Sequence, residues 1–189
     1  MLIPHRENRW GQIFLISYAT FCLSHTFYKV KGADKMKDEF ELLVEKYADT
    51  VTRICFVNLE NRADAEDAWQ NVFLKLFKAK GLWQKPDEEI RKWIVTVALN
   101  ECRDIKRKLF RRNHYDIDEL EVSYTEDFNK DLIHEIRRLP TKYREVIELF
   151  YFEGYTIVEI SDILSEKENT IKSRLKRGRE LLKGGLGDE

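Results

Sequence analysis

Between Lys37 and Leu59 the chain reads KDEFELLVEKYADTVTRICFVNL, with Phe40, Leu43, Val44, Tyr47, Val51, Ile54 and Cys55 at helical spacing. Side chains so placed share one face of an α-helix; a strand would divide them between its two faces. The same period returns further along, and only three prolines and eight glycines interrupt 189 residues. An all-β design needs more turn residues than that. The chain is therefore expected to be all-α.

Asn61-Arg62 breaks the first helix. Asp64 then stands where an N-cap is wanted, and Glu66 and Asp67 put negative charge in the first turn, where the helix dipole favours it. The second helix, DAEDAWQNVFLKLFKAK, is expected to stop at Gly81. The loop GLWQKPDE follows, and its Pro86 can open a third helix. Along EIRKWIVTVALNECRDIKRKLF the apolar side is expected to collect Ile90, Ile94, Val97, Ala98, Ile105 and Leu109.

The net charge of −1 conceals strong blocks. Arg103–Arg112 and Lys172–Lys183 each hold six bases and one acid, whereas Asp116–Asp131 holds seven acids and one lysine. Two cationic surfaces joined by an acidic linker are the expected result. The organisation read from this pattern is two small helical domains, residues 36–112 and 132–189, with residues 113–131 between them. The second domain carries LIHEIRRLP, TKYREVIELFYFEG, TIVEISDIL and ENTIKSRLKRGRELLK. Its last pair has a helix-turn-helix layout: a short helix, a tight turn and an amphipathic basic helix. Thr156 can cap the first of the pair, with Ile157, Ile160 and Ile163 on its buried side.

On the last helix Ile171, Leu175, Gly178 and Leu182 fall on one side. Asn169, Ser173, Lys176, Arg177 and Glu180 fall opposite, and Lys172 and Arg174 flank them. One side can pack while the other offers donors to a nucleic-acid groove; the bland alternative is the charged exterior of a protein-interaction bundle. On the third helix Trp93, Thr96, Asn100, Arg103 and Arg107 line one edge of the apolar stripe. A ring that stacks on bases, an amide for a base edge and guanidinium groups for phosphates are the equipment for single-stranded DNA. Trp93 suits a core as well as a stacking platform. Asn100 is disfavoured in mid-helix by propensity, which argues for a specific task.

Three of these stretches, in this order, resemble a known family. DAEDAWQNVFLKLFK, IRKWIVTVALNECRDIKRK and RRLPTKYREVIELFYFEGYTIVEISDIL with NTIKSRLKRGRELL are similar to the bacterial RNA polymerase sigma factors of the extracytoplasmic-function group. The resemblance spans about Met36 to Leu186. It implies that residues 36–112 are sigma region 2 and residues 132–189 are sigma region 4. It also implies a core-polymerase contact, on the β and β′ subunits, through Asp64, Asp67, Gln70 and Phe73; Phe73 fits core packing too. The third helix, with Trp93, Thr96, Asn100, Arg103 and Arg107, would open and read the −10 promoter element, with Asn100 holding a flipped-out base and Gly81–Glu88 forming much of its pocket. The last helix, with Lys172, Ser173, Arg174, Lys176 and Arg177, would read the −35 element. An anti-sigma factor is a further partner that the family implies. Ser165, Glu166, Asn169 and Gly178 depart from the usual pattern, which puts the −35 sequence in question, and in the core-binding helix Asn71 stands where an acid is frequent. The rival reading is a stand-alone helix-turn-helix regulator, but such a protein has no use for a single-strand reader.

Neither an enzyme nor a cofactor protein is expected, for the chain has no nucleotide-binding glycine loop, no metal-ligand spacing and no nucleophile–base pair. Cys22, Cys55 and Cys102 are too few and scattered for a disulfide framework, which points to a reducing cytosol. Residues 1–35 differ from all that follows: WGQIFLISYATFCLSHTFYKV is apolar but broken by polar residues, a poor membrane span and a weak signal peptide. Codons AAA-GGA-GC for Lys31, Gly32 and Ala33 would spell a ribosome-binding sequence ahead of Met36. Met36 is the expected start, and cytoplasmic location the expectation, with membrane association entering only if residues 1–35 are translated.

Overall fold

A computed structural model of the chain describes residues 33–112 and 130–185. The readings made for residues 1–32 and for most of the acidic linker lie outside them. The described residues form α1 (Ala33–Asn58), α2 (Arg62–Lys78), a 3₁₀ turn (Lys80–Leu82), α3 (Asp87–Arg112), α4 (Lys130–Arg138), α5 (Thr141–Tyr151), α6 (Ile157–Leu164) and α7 (Glu168–Gly185). The all-α expectation holds. Among the described residues no helix is long and apolar enough to cross a membrane.

Helices α1, α2 and α3 pack on one another around Ile54, Trp69, Phe73, Leu76, Ile94 and Leu99, all essentially inaccessible to water. Burying such side chains contributes about 1.5–3 kcal/mol each. The one polar atom of Trp69 is satisfied, since Nε1 donates to Thr52 Oγ1 at 3.1 Å. At the start of α3, Tyr47 on α1 donates to the Asp87 carboxylate, which also pairs with Lys46. The hydrogen bonds from Lys46 and Tyr47 hold that carboxyl below its ordinary range.

Two local expectations are corrected and a third holds. Asn61, in the break itself, caps α2: its Oδ1 accepts from Ala63 N at 2.7 Å and Asp64 N at 3.2 Å, which puts Asp64 in the first turn. Gly81 does not stop α2, which ends at Lys78 with Ala79 as its cap. Trp83 explains the early stop. Its Nε1 donates to the Leu76 carbonyl at 2.8 Å, and its ring stacks on Phe40 at 5.6 Å, so the chain folds back before reaching the glycine. Pro86 does open α3, with its carbonyl accepting from Glu89 N and Ile90 N.

The buried face of α3 is also turned from its expected direction. Ile90, Ile94 and Ala98 are buried as predicted, but Val95, Leu99 and Cys102 complete the face, while Val97, Ile105 and Leu109 are only half-covered. The reason is that α3 serves two neighbours, the α1–α2 core on one side and the α4–α7 unit on another, where Arg103 meets Glu145, so its buried face is not the one its apolar spacing alone marks.

In the second unit α4 to α7 enclose Ile136, Val146, Ile147, Leu149, Ile160, Ile163, Ile171 and Leu175. Thr156 caps α6 in a full capping box with Glu159, as the sequence indicated, and those hydrogen bonds lower the Glu159 carboxyl. Ile157 is half-buried. Ser165 takes the left-handed conformation (φ 53°, ψ 44°) that forms the turn into α7. Gly178 has a packing reason: a Cβ there would stand 2.9 Å from Ile147 Cγ1, so the glycine lets α7 lie close against α5.

Candidate nucleic-acid interface

Helix α7 divides as its sequence predicts. Ile171 and Leu175 are buried, Gly178 packs on α5, and Leu182 is half-buried. Lys172, Ser173, Lys176 and Arg177 are exposed on the far side. Their local bonds are weak or dispensable: Ser173 Oγ donates to the Thr170 carbonyl at 2.9 Å, Arg177 pairs with Glu180 at 3.1 Å, and Lys172 with Glu168 at 3.6 Å. Surface pairs of this kind contribute about 0–1 kcal/mol, so a phosphate or base can displace them. Arg174 differs. It pairs with Glu166 in the turn at 2.7 Å and is only 22% exposed, so it braces the turn and is withdrawn from the open face.

On α2, Asp67 and Gln70 are exposed and Asp64 is half-buried. Burial, with help from the Asp67 charge, raises the Asp64 carboxyl. Phe73 corrects the expectation: it is fully buried against Trp69, with ring centroids 4.4 Å apart, and holds α2 from beneath its exposed side. A side chain with no accessible surface cannot touch a partner while the fold is intact.

On α3, Asn100 is exposed and Arg107 is exposed beside Asp104. Trp93 is half-buried at the edge of the core, and Thr96 Oγ1 donates back to the Lys92 carbonyl at 2.8 Å. Arg103 reaches Asn100 Oδ1 at 3.3 Å but spends its main bonds elsewhere. Its Nε and Nη2 donate to the two oxygens of Glu145 on α5, at 2.8 and 2.6 Å. That bidentate bond raises the Arg103 guanidinium above its ordinary value.

This pair belongs to a longer seam between the two helical units. Glu153 accepts from Arg53 Nε at 2.8 Å and from Thr50 Oγ1 at 3.2 Å, and Arg91 donates to it as well. Asn58 Nδ2 donates to Glu148 Oε2 at 2.7 Å, and Lys92 pairs with Asp162 at 2.8 Å. Arg137 and Arg144 cap the end of α1, donating to the carbonyls of Leu59 (2.9 Å), Val57 (3.3 Å) and Asn58 (3.4 Å), where the helix dipole favours cations. Burial pushes the Glu148 carboxyl well up, against the pull of Asn58, and pushes the Lys106 ammonium down to about 8, aided by Arg144. Asn58 Oδ1, Glu148 Oε1 and Arg144 Nε are left without partners.

Reading the sequence missed Arg53, Arg91, Glu145, Glu148 and Glu153. A signal existed in TKYREVIELFY, where acids and arginine interleave with apolar residues around the whole helix. Such a helix must serve two neighbours, and Arg144 through Leu149 are indeed all buried. No group of side chains that could hold a metal ion occurs among the described residues.

The two units match two family models separately: Sigma-70 region 2 over residues 43–112, and Sigma-70 region 4 over residues 130–182. The chain is 29% identical over 182 residues to the ECF RNA polymerase sigma factor SigW of Bacillus subtilis, covering 85% of this chain and 94% of that protein. It is 30% identical over 141 residues to the RNA polymerase sigma factor SigV of the same organism, covering 72% of this chain and 84% of that protein. The chain belongs to the extracytoplasmic-function sigma factors. Among solved structures it is similar in fold to the sigma factor RpoE of Bartonella quintana, in a complex with the anti-sigma factor NepR. That match has a TM-score of 0.68 at 20% identity over 79% of this chain and 98% of that one. As a sigma factor the protein directs promoter recognition and the initiation of transcription. The α1–α3 unit carries region 2, and the helix-turn-helix of α6 and α7 lies in region 4.

Proposed function

We propose that this sigma factor divides its work between α2, α3 and α7. The exposed part of α2, with Asp64, Asp67 and Gln70, meets the β and β′ subunits of core polymerase, and Phe73 sets the shape of that surface from below. Helix α3 takes the unpaired −10 strand: Asn100 bonds a base edge, Trp93 borders the stack, Thr96 lines the path, and Arg103 and Arg107 hold phosphates. Extracting a base costs a few kcal/mol, which stacking and hydrogen bonds in the pocket return, so opening is driven by binding and needs no chemistry from the protein. Helix α7 enters the −35 major groove with Lys172, Ser173, Lys176 and Arg177. Arg174 supports that helix through Glu166.

The observation that carries the reading is the division of α7, where an exposed cationic side backs directly onto a buried apolar one. A helix held by Ile171 and Leu175 is presented rigidly enough to read base edges. With polymerase and promoter as partners, the protein works in the cytoplasm, without catalytic residues, cofactor or small-molecule substrate. An anti-sigma factor, such as the one in the RpoE complex, is a further proposed partner. Run-off transcription on genomic fragments, with core polymerase alone and with the full chain added, tests the whole reading. New start sites that appear only with the chain are expected. A chain that neither co-elutes with core polymerase nor yields a transcript refutes it.

A further inference from the structure

The turn between α6 and α7 carries a carboxylate at a place where helices commonly put an apolar side chain. Ser165, in the left-handed conformation, donates its N–H to the Asp162 carbonyl at 3.3 Å, and Glu166 N donates to the Ser161 carbonyl at 2.9 Å. This is the Schellman ending of a helix, and the residue in the place of Glu166 usually closes it with an apolar contact to the last turn. Glu166 instead offers its carboxylate to α7, where Arg174 Nη2 donates to Oε1 at 2.7 Å. We propose that Glu166 holds Arg174 off the DNA, so that region 4 grips its duplex with one phosphate contact fewer than the cations of α7 allow. The chain's affinity for DNA of any sequence is thereby held down. The proposal rests on reading α7 as the duplex-binding helix.

Among the described residues three cations of α7 are paired with acids, and they are not equally easy to displace. Lys172 with Glu168 at 3.6 Å and Arg177 with Glu180 at 3.1 Å join neighbours on one helix, and the two cations keep 55% and 58% of their side chains exposed. Both partners in each pair can swing into water, so a phosphate replaces the acid at little cost. The acid that meets Arg174 comes from outside the helix, eight positions back, on backbone fixed by the end of α6, and Arg174 is 22% exposed. A charge-assisted bond to an anchored carboxylate is a stronger rival to a phosphate.

Arg174 would otherwise be well placed for DNA. It stands about 60° round the helix from Arg177, on the flank of the exposed face, and a released guanidinium there has the reach of the groove wall. Phosphate contacts bind every sequence alike, so a helix that reads base edges gains no discrimination from another one. Glu166 also adds to the field at Arg103 on α3, and the test therefore separates the two cations by removing Arg174.

The test loads the full chain on core polymerase and follows, by fluorescence anisotropy, its binding to a fragment with a mapped promoter and to a copy with the −35 element scrambled. Glu166→Gln keeps the shape of the side chain and gives up the charge. It is expected to tighten binding to both fragments about fivefold, and to steepen the plot of log affinity against log salt by about 0.9, the weight of one added phosphate contact. Arg174→Ala alone should change either affinity by less than about twofold, yet abolish the gain in the Glu166→Gln background. A gain that survives Arg174→Ala overturns the proposal, because Glu166 then acts by its own repulsion or through Arg103. Weaker binding with a shallower salt plot overturns it too, since Glu166 would then present Arg174 to the DNA. So does a gain confined to the intact promoter, which would make Arg174 a base reader. If Glu166→Gln loosens the turn in a thermal melt, Glu166→Leu supplies the usual apolar contact and carries the same expectations. A wild-type chain that does not distinguish the two fragments refutes the reading of α7 beneath the proposal, whatever Glu166 does.

Discussion

Helices α3 and α7 are both long, basic and amphipathic, yet they are used differently. Helix α7 has one neighbouring surface, made by α4, α5 and α6 of region 4, and its opposite side meets only solvent. Helix α3 has two: the α1–α2 core along one side, and the acids of region 4 along another. A helix with one neighbour wears its orientation in its apolar stripe. A helix with two neighbours needs charge on a face that is also covered, and its stripe no longer tells which way it points.

The largest expected effect tests the orientation of α3. Ile94→Ala, at a fully buried site, should cost about 2–5 kcal/mol in urea unfolding, and Leu109→Ala, at a half-covered site near the end of α3, under about 1 kcal/mol. Similar costs at the two sites would restore the stripe first expected. The same contrast applies to the exposed side of α7. Arg177→Ala should weaken binding to a −35 duplex by about 1–3 kcal/mol, well beyond the effect of Lys183→Ala, in gel shifts with a mapped promoter. Equal losses would mean that α7 reads charge alone.

Gly178→Ala sharpens the packing side. Helix propensity favours alanine by about 1 kcal/mol, but the contact with Ile147 should reverse the sign, leaving a net loss of about 1–2 kcal/mol by thermal unfolding. A stabilised variant would show that Ile147 gives way. The smallest effect tests the seam. The Glu148 carboxyl is raised by burial, so it favours the folded form while protonated, and that contribution is lost as pH rises through its folded value. Glu148→Gln stays neutral and can return a donor to the orphaned Asn58 Oδ1. Its melting temperature should exceed that of wild type by more at pH 8 than at pH 5, on the scale of about 1 kcal/mol for one buried polar group. A difference that does not change with pH would mean that Glu148 is ionised without penalty.

How much was legible follows from the range of the interactions involved. The helices, the Thr156 cap and the exposed side of α7 all depend on residues within a few positions of one another. The sequence by itself determined these, because backbone hydrogen bonding and helical period are local. The Asn61 cap is equally local, and the sequence reading placed it three residues late at Asp64, whereas ending α2 before Gly81 depended on Trp83 reaching back to Leu76. Burial of Phe73, rotation of α3 and the Arg103–Glu145 pair were decided only by the tertiary structure. Each depends on which surface arrives from a distant part of the chain, and a side chain's own spacing carries no record of what will be packed against it.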